Sequence, residues 1–276
     1  MNVLFVGGSG FLGTELVRQV RAAGHTTAAT YASKPGDTSQ AVWHHLDLRD
    51  GGRLDAIMAE VSPHLVINAS SGKADWAVTA QGPVRIANVA AENGIRLVHV
   101  SSDAVFSGVA RVHYGETCLP DPLTPYGAAK AAAETGVLGV HPGAVVARTS
   151  LIIGDGRSEH EIAVHELAAG TRDGVLFTDD IRCPVHVADL AAALVELALS
   201  DAFGIHHLAG PDALSRHELG TLIAIRDGID ASRLPAGLRA HSTLPGALDV
   251  RLDSRATQRK LSTTLRGARQ FCTASA

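Results

Sequence analysis

Tyr126-Gly127-Ala128-Ala129-Lys130 places a phenol and an ammonium four residues apart, on one face of the helix that would carry them. A phenol beside a fixed cation is equipped for proton transfer. The chain has three tyrosines, and neither Tyr31 nor Tyr114 has a lysine four residues on, so Tyr126 is the phenol suited to such chemistry. Ser101-Ser102-Asp103 closes an apolar run, and ligands gather at strand ends in an open α/β sheet. A strand-end serine also often caps backbone, and Ser101 and Ser102 compete for the ligand-facing register. Near the N-terminus, Gly7-Gly8-Ser9-Gly10-Phe11-Leu12-Gly13 follows an apolar run and opens a helical pattern. Glycines at 7, 10 and 13 supply a tight turn, a backbone that can approach a pyrophosphate, and a helix N-terminus aimed at the anion. Gly7, Ser9, Gly10, Phe11, Leu12 and Gly13 are therefore expected to hold a dinucleotide.

The next strand ends decide which dinucleotide and where it lies. After the second strand the chain reads Thr30-Tyr31-Ala32-Ser33-Lys34, with no acidic residue to bind ribose hydroxyls. Tyr31, Ser33 and Lys34 fit a 2′-phosphate better, which favours NADP(H) while leaving NAD(H) open; otherwise Lys34 is a solvated loop residue. Asp47 and Leu48, after the third strand, fall where an adenine is bound. Asn68, Ala69 and Ser70, after the fourth, fall along the ribose and nicotinamide.

These residues need elements to position them. Residues 3–6 read as a strand ending in glycine, and 11–23 carries Leu12, Leu16, Val17 and Val20 at helical spacing before Gly24 stops it. Further strands are predicted at 26–31, 41–46, 65–68, 96–101 and 144–149, and helices at 53–61, 83–93 and 126–138. Strands separated by helices imply βαβ units and a parallel sheet. Past residue 150 the pattern loosens. Helices are predicted at 161–169, 187–199 and 215–226, the last opened by a Ser215/Glu218 capping box. Residues 107–125 and 234–248 read as loops. The fold class is α/β, a doubly wound parallel (Rossmann) sheet over 1–150, to which helix 187–199 returns. A smaller C-terminal substrate lobe is expected over 151–276.

Composition agrees. Of 276 residues, 46% are hydrophobic and 19% charged, enough to bury a sizeable core and to exclude a disordered chain. Aromatics are only 4%, against a base-stacking single-strand binder, and a net charge of -4 lacks a nucleic-acid footprint. The fourteen histidines are scattered and show no zinc-ligand spacing, so no metal is expected. Cys118, Cys183 and Cys272 are too few and too dispersed for a disulfide framework. No signal-peptide pattern or spanning helix is visible, so a cytoplasmic protein without a membrane partner is expected.

The glycine turn, strand-end serine and Tyr-x-x-x-Lys together resemble an extended short-chain dehydrogenase/reductase. More narrowly they resemble the dTDP-4-dehydrorhamnose reductase branch. Leu46-Asp47-Leu48-Arg49-Asp50, Pro63-His64-Leu65-Val66-Ile67-Asn68-Ala69, the segment from Val98 through Ser101-Ser102-Asp103 to Gly108, Pro122-Leu123-Thr124-Pro125-Tyr126-Gly127 and Arg148-Thr149-Ser150 carry the likeness. The resemblance covers 1–150 well and the remainder loosely. It implies that Ser102 orients a substrate carbonyl, that Tyr126 is the general acid, and that Lys130 is its helper and also holds cofactor ribose. A free phenol titrates near 10. The expectation is that Lys130 and the oxidised nicotinamide draw that value down towards neutrality. The reaction implied is hydride transfer to a keto group of a 4-keto-6-deoxy sugar nucleotide.

Several positions depart from that branch. It usually carries an aromatic after the Ser/Thr-Asp pair, where this chain has Ala104, and often a Trp after Arg-Thr-Ser, where it has Leu151. Thr79-Ala80-Gln81-Gly82-Pro83 also differs from the branch's Asn-Ala-x-Gly-Pro. Asp103, Ala104 and Leu151 are expected to line the substrate pocket. Arg182, in a segment like the branch's substrate-lobe return, is expected at a substrate phosphate unless it pairs with Asp179 or Asp180. Cys183 beside it reads as a packed thiol. The alternatives are a reductase of a small non-nucleotide ketone, a non-catalytic dinucleotide sensor, or an epimerase. Many extended members dimerise, so a homodimer is compatible with the resemblance.

Overall fold

The structure is a computed structural model that describes residues 1–109, 111–243 and 245–273. Ala110 and Leu244, which fall in the two predicted loops, and residues 274–276 lie outside the described residues. The central sheet comprises β1 (Asn2–Val6), β2 (Thr26–Tyr31), β3 (Val42–His45), β4 (Leu65–Asn68), β5 (Arg96–Ser102), β6 (Val145–Thr149) and β7 (Gly204–Leu208). Their spatial order is β7-β6-β5-β4-β1-β2-β3, and every pairing is parallel. The order reverses between β1 and β4, which places a crevice at their C-terminal ends.

Alternation along the strands explains the two layers of core. In β1, Val3 and Phe5 pack with α1 (Phe11–Ala22) and α6 (Val187–Ala198), while Leu4 and Val6 pack on the other face with α2 (Gly51–Val61) and α3 (Gly82–Glu92). The capping box predicted at Ser215 is present and opens α7 (Arg216–Arg226); a second, of Ser158 with Glu161, opens α5 (Glu159–Ala169). Helices α5 and α7 enclose a separate apolar cluster with Leu151 and Leu234.

Several short elements escaped prediction, among them the last strand of the central sheet and the turn before α3. Strand β7, read Gly-Ile-His-His-Leu, adds an edge beside β6, with His206 and His207 buried. A π-turn over Ala77–Gln81 precedes α3, so the helical segment begins earlier than Pro83. No helix among the described residues is long and apolar enough to cross a membrane.

Candidate active site

The glycine turn is built by close approach. Gly7 has φ +79, and its N–H donates to Thr30 Oγ1 at 3.0 Å. A Cβ on Gly13 would lie 2.3 Å from the Gly7 carbonyl oxygen, and one on Gly7 would lie 2.7 Å from Ser70 Cα. The turns after β1 and β4 thus meet at the topological switch. No side chain caps α1 and no acidic residue stands in its first turn, so its N–H groups and positive dipole end face the crevice. Ser9 is exposed and Phe11 half-buried, its ring against Gly154; Leu12 is committed to the core, so only its backbone can face a ligand.

Beyond β2, Tyr31 sits edge-on to His45, and Ser33 and Lys34 are exposed. Asp47 is bound by Arg49 at 2.8 Å, and Arg49 reaches on to Asp75. The Arg49 backbone N–H, with its guanidinium, holds the Asp47 carboxyl below its ordinary range. Leu48 is buried against Gly82. Buried Asn68 accepts from the Ser70 N–H at 3.1 Å and the Ser70 hydroxyl at 2.6 Å, and its amide lies 3.2 Å from His99 Nδ1. Asn68 therefore shapes the Ala69–Ser70 turn.

Helix α4 (Pro125–Val140) is capped by Thr124, with proline in its first turn. Gly127 lets that turn abut the strand end: a Cβ there would be 2.1 Å from the Ala104 carbonyl oxygen. The phenol of Tyr126 accordingly meets the Ser102 hydroxyl, and that of Ser71 as well. One turn on, buried Lys130 donates to the Val100 carbonyl at 2.9 Å. Ser102 Oγ accepts from the Ala104 N–H at 3.2 Å and donates to Asp103 Oδ1 at 3.3 Å. Ser101, the competing register, is buried and donates to Glu134 at 2.6 Å, while Ser102 is the serine beside Tyr126.

The electrostatics of the chain by itself run the other way from the lowering expected with an oxidised nicotinamide beside it. Burial, reinforced by the Asp103 carboxylate, raises the Tyr126 phenol above 10, and the Ser102 and Ser71 hydroxyls only partly oppose this. In the chain by itself the phenol stays protonated. Lys130 responds oppositely: burial lowers it to about 8, against a smaller upward pull from Glu134.

The substrate-pocket expectations also change. Arg182 is buried and paired: it lies 3.0 Å from Asp180 and 3.6 Å from Asp103, and donates to the carbonyls of Ile181, Leu248 and Ala247. These contacts hold its guanidinium against two carboxylates and the backbone rather than toward the cavity. Leu151 packs inside the α5–α7 cluster, and Ala104 presents its carbonyl to Gly127. Cys183 is buried, and burial pushes its thiol up to about 11. Arg172, Arg216 and Arg239 line a cavity, the last two bound to buried Asp180 at 3.4 and 2.9 Å. That cavity has a volume of about 780 Å³ and apolar walls that include Leu167, Phe177, Leu219 and Ile223. Arg239 stacks over the Phe177 ring at 4.7 Å. His160 also lines it, and burial lowers its imidazole to about 3.

Sequence reasoning missed Ser71, Glu134, Arg216 and Arg239. Glu134 was findable, since it continues the four-residue spacing of Tyr126 and Lys130. Arg239 sits in an aperiodic Gly/Pro segment and left no signal.

Residues 1–269 match the RmlD substrate binding domain family. A dTDP-4-dehydrorhamnose reductase of Mycobacterium tuberculosis is 31% identical over 240 residues, 84% of this chain and 78% of the relative. A probable low-salt glycan biosynthesis reductase of Haloferax volcanii is 29% identical over 264 residues, 90% of this chain and 87% of the relative. A methionine adenosyltransferase 2 subunit beta of Xenopus laevis is 27% identical over 255 residues, 85% of this chain and 73% of the relative. The solved dTDP-4-dehydrorhamnose reductase of Bacillus anthracis, in complex with NADP, superposes with a TM-score of 0.83 at 20% identity, covering 98% of this chain and 96% of that one. With its glycine turn, its strand-end serine and its Tyr-x-x-x-Lys helix at the mouth of one crevice, the chain belongs to the RmlD substrate-binding-domain family.

Proposed function

We propose that the protein is an NADP(H)-dependent reductase that converts a keto group, carried on a sugar nucleotide of the 4-keto-6-deoxy class, to an alcohol. The observation that carries this reading is the Tyr126 phenol, held protonated between hydroxyls and one helical turn from a buried ammonium. The residues present fit a dinucleotide: the Gly7–Gly13 turn leaves room where a Cβ would collide with backbone, and α1 opens uncapped onto it. Tyr31, Ser33 and Lys34 border the ribose end without a carboxylate, which favours a 2′-phosphate, and NAD(H) remains a usable alternative. When bound, NADPH supplies a hydride to the carbonyl carbon.

The chain's own residues manage the proton. Ser102 donates to the carbonyl oxygen and orients it. Tyr126 gives that oxygen its proton as the alkoxide develops, which completes the alcohol and leaves a phenolate. Charged Lys130 and the Ser71 hydroxyl then stabilise the phenolate until it is reprotonated. The phenol is protonated before the reaction, and stabilisation of the phenolate has to offset the burial that weakens it as an acid. The 780 Å³ cavity, with Arg216 and Arg239 over apolar walls, suits the nucleotide diphosphate portion.

The relative named as a methionine adenosyltransferase subunit favours a second reading, a dinucleotide-binding subunit without turnover. NADPH oxidation measured across keto-sugar nucleotides and simple ketones separates the two. Turnover is expected with the former and should drop at least about 100-fold in Tyr126→Phe, with NADPH affinity nearly unchanged. Tight NADPH binding without turnover on any substrate would establish the second reading instead.

A further inference from the structure

Helix α4 carries a third polar group in line with the pair at its start. Tyr126, Lys130 and Glu134 follow at intervals of four residues, so they stack along one helix face. Glu134 is almost fully buried and donates nothing; every polar contact it makes is received from the sheet. Ser101 on β5 gives it a hydrogen bond at 2.6 Å. Arg148 on β6 grips both its oxygens, at 3.0 Å and 3.1 Å from Nε and at 2.7 Å from Nη2. Arg148 is itself fixed by the Cys118 carbonyl at 3.2 Å and by the Phe106 ring, 4.9 Å beneath its guanidinium. Phe106 in turn stacks on Tyr114.

We propose that Glu134, clamped by Ser101 and Arg148, is the positioning residue of the Tyr126–Lys130 dyad: it pins α4 to β5 and β6 and so fixes the surroundings in which Lys130 sits against the Val100 carbonyl. The inference rests on the reductase reading for its consequence but not for its geometry. A buried ion pair holds its two partners in one geometry, because parting them strands a charge away from water, so the Arg148–Glu134 pair fixes where α4 lies on the sheet. The charged groups around Lys130 are few. Glu134 lies on its own helix, and the neutral His99 ring on β5 is held uncharged by burial and by Lys130 itself. Arg148 stands behind Glu134 on β6, and Tyr126 lies one turn before. Glu134 is the one anion among these, and it opposes the burial that draws Lys130 down.

The test exploits the scarcity of lysine. The chain has four, at 34, 73, 130 and 260, so a lysine labelled with carbon-13 at the carbon beside the ammonium gives four signals, and Lys130→Arg assigns the one from Lys130. In Glu134→Gln the Lys130 titration midpoint should fall by about one pH unit, a tenfold loss of proton affinity. Glu134→Asp keeps the charge and should restore most of it. If Glu134→Gln leaves Arg148 too exposed to desolvation to fold, Glu134→Gln with Arg148→Met removes both buried charges and carries the same expectation. In active protein the high-pH fall in kcat should move down with the midpoint, while KM changes little. A midpoint unmoved in a folded Gln variant, or moved equally by Gln and Asp, overturns the proposal. A native chain without NADPH oxidation would sink the reductase reading alone, because the titration still reports on Glu134.

Discussion

A lysine held entirely out of water costs stability, and the direction of that cost with pH follows from its shift. The Lys130 ammonium titrates at about 8 in the folded chain, against 10.5 when free. Below pH 8 both folded and unfolded chains hold the proton, and the folded chain bears the whole penalty, roughly 3 kcal/mol. Between 8 and 10.5 the unfolded chain binds more protons, so stability rises with pH across that window. Lys130→Met keeps the packing volume and removes the charge. It should therefore unfold at higher urea concentration than the native chain at pH 7, with the gain shrinking by pH 10 as the native lysine discharges. The lost hydrogen bond to Val100 offsets part of this, on the order of 1 kcal/mol. NADPH oxidation should vanish in the same variant. A variant less stable by the same margin at both pH values would mean that the ammonium stabilises the fold, contrary to this account.

At the scale of elements, the glycine turn makes a sharper demand than the helices around it. A methyl at Gly13 would meet the Gly7 carbonyl oxygen and the Gly8 backbone, none of which can rotate aside. Gly13→Ala should destabilise the fold by about 1–3 kcal/mol, as overpacking does. It should also weaken NADPH at least tenfold in a fluorescence titration, because the turn must open. Gly139, in the last turn of α4, meets nothing within 4 Å, so Gly139→Ala should add up to about 1 kcal/mol and leave NADPH affinity alone. Equal effects at the two glycines would remove the turn from the binding account. This contrast also shows what was readable in advance. Periodicity marked the strands and helices of the first 150 residues, because each buries a regular face. It missed β7, whose two histidines are buried through Thr257, the Phe203 carbonyl and Arg148 rather than through an apolar pattern. It left Arg182 open between a substrate phosphate and a pairing with Asp179 or Asp180, and the structure has the Asp180 pair, since a basic residue beside a pocket and one neutralised by a buried carboxylate look alike in one dimension.

The molecule as a whole joins its two working regions through buried charge. From Ser102 the contacts run to Asp103, to Arg182, to Asp180, and from there to Arg216 and Arg239 at the cavity. Asp180 has three guanidiniums around it, so removing one leaves it neutralised by the others, and the fold should tolerate the change. Arg239 is the better choice for a test. It is partly exposed, it stacks on Phe177, and the backbone at 239 and 240 stays tied to Asp179 through two hydrogen bonds. If the cavity takes the diphosphate portion of the substrate, Arg239→Ala removes a charge-assisted contact made equally in ground and transition states. KM for a keto-sugar nucleotide should then rise about 10- to 100-fold with kcat nearly unchanged. A simple ketone, too small to span from Tyr126 to the cavity, should show no change in either constant. Should both substrates lose kcat together, the cavity and the Tyr126 site would be coupled through Asp180 and Arg182, and Arg239 would act on the chemistry through that chain of ions.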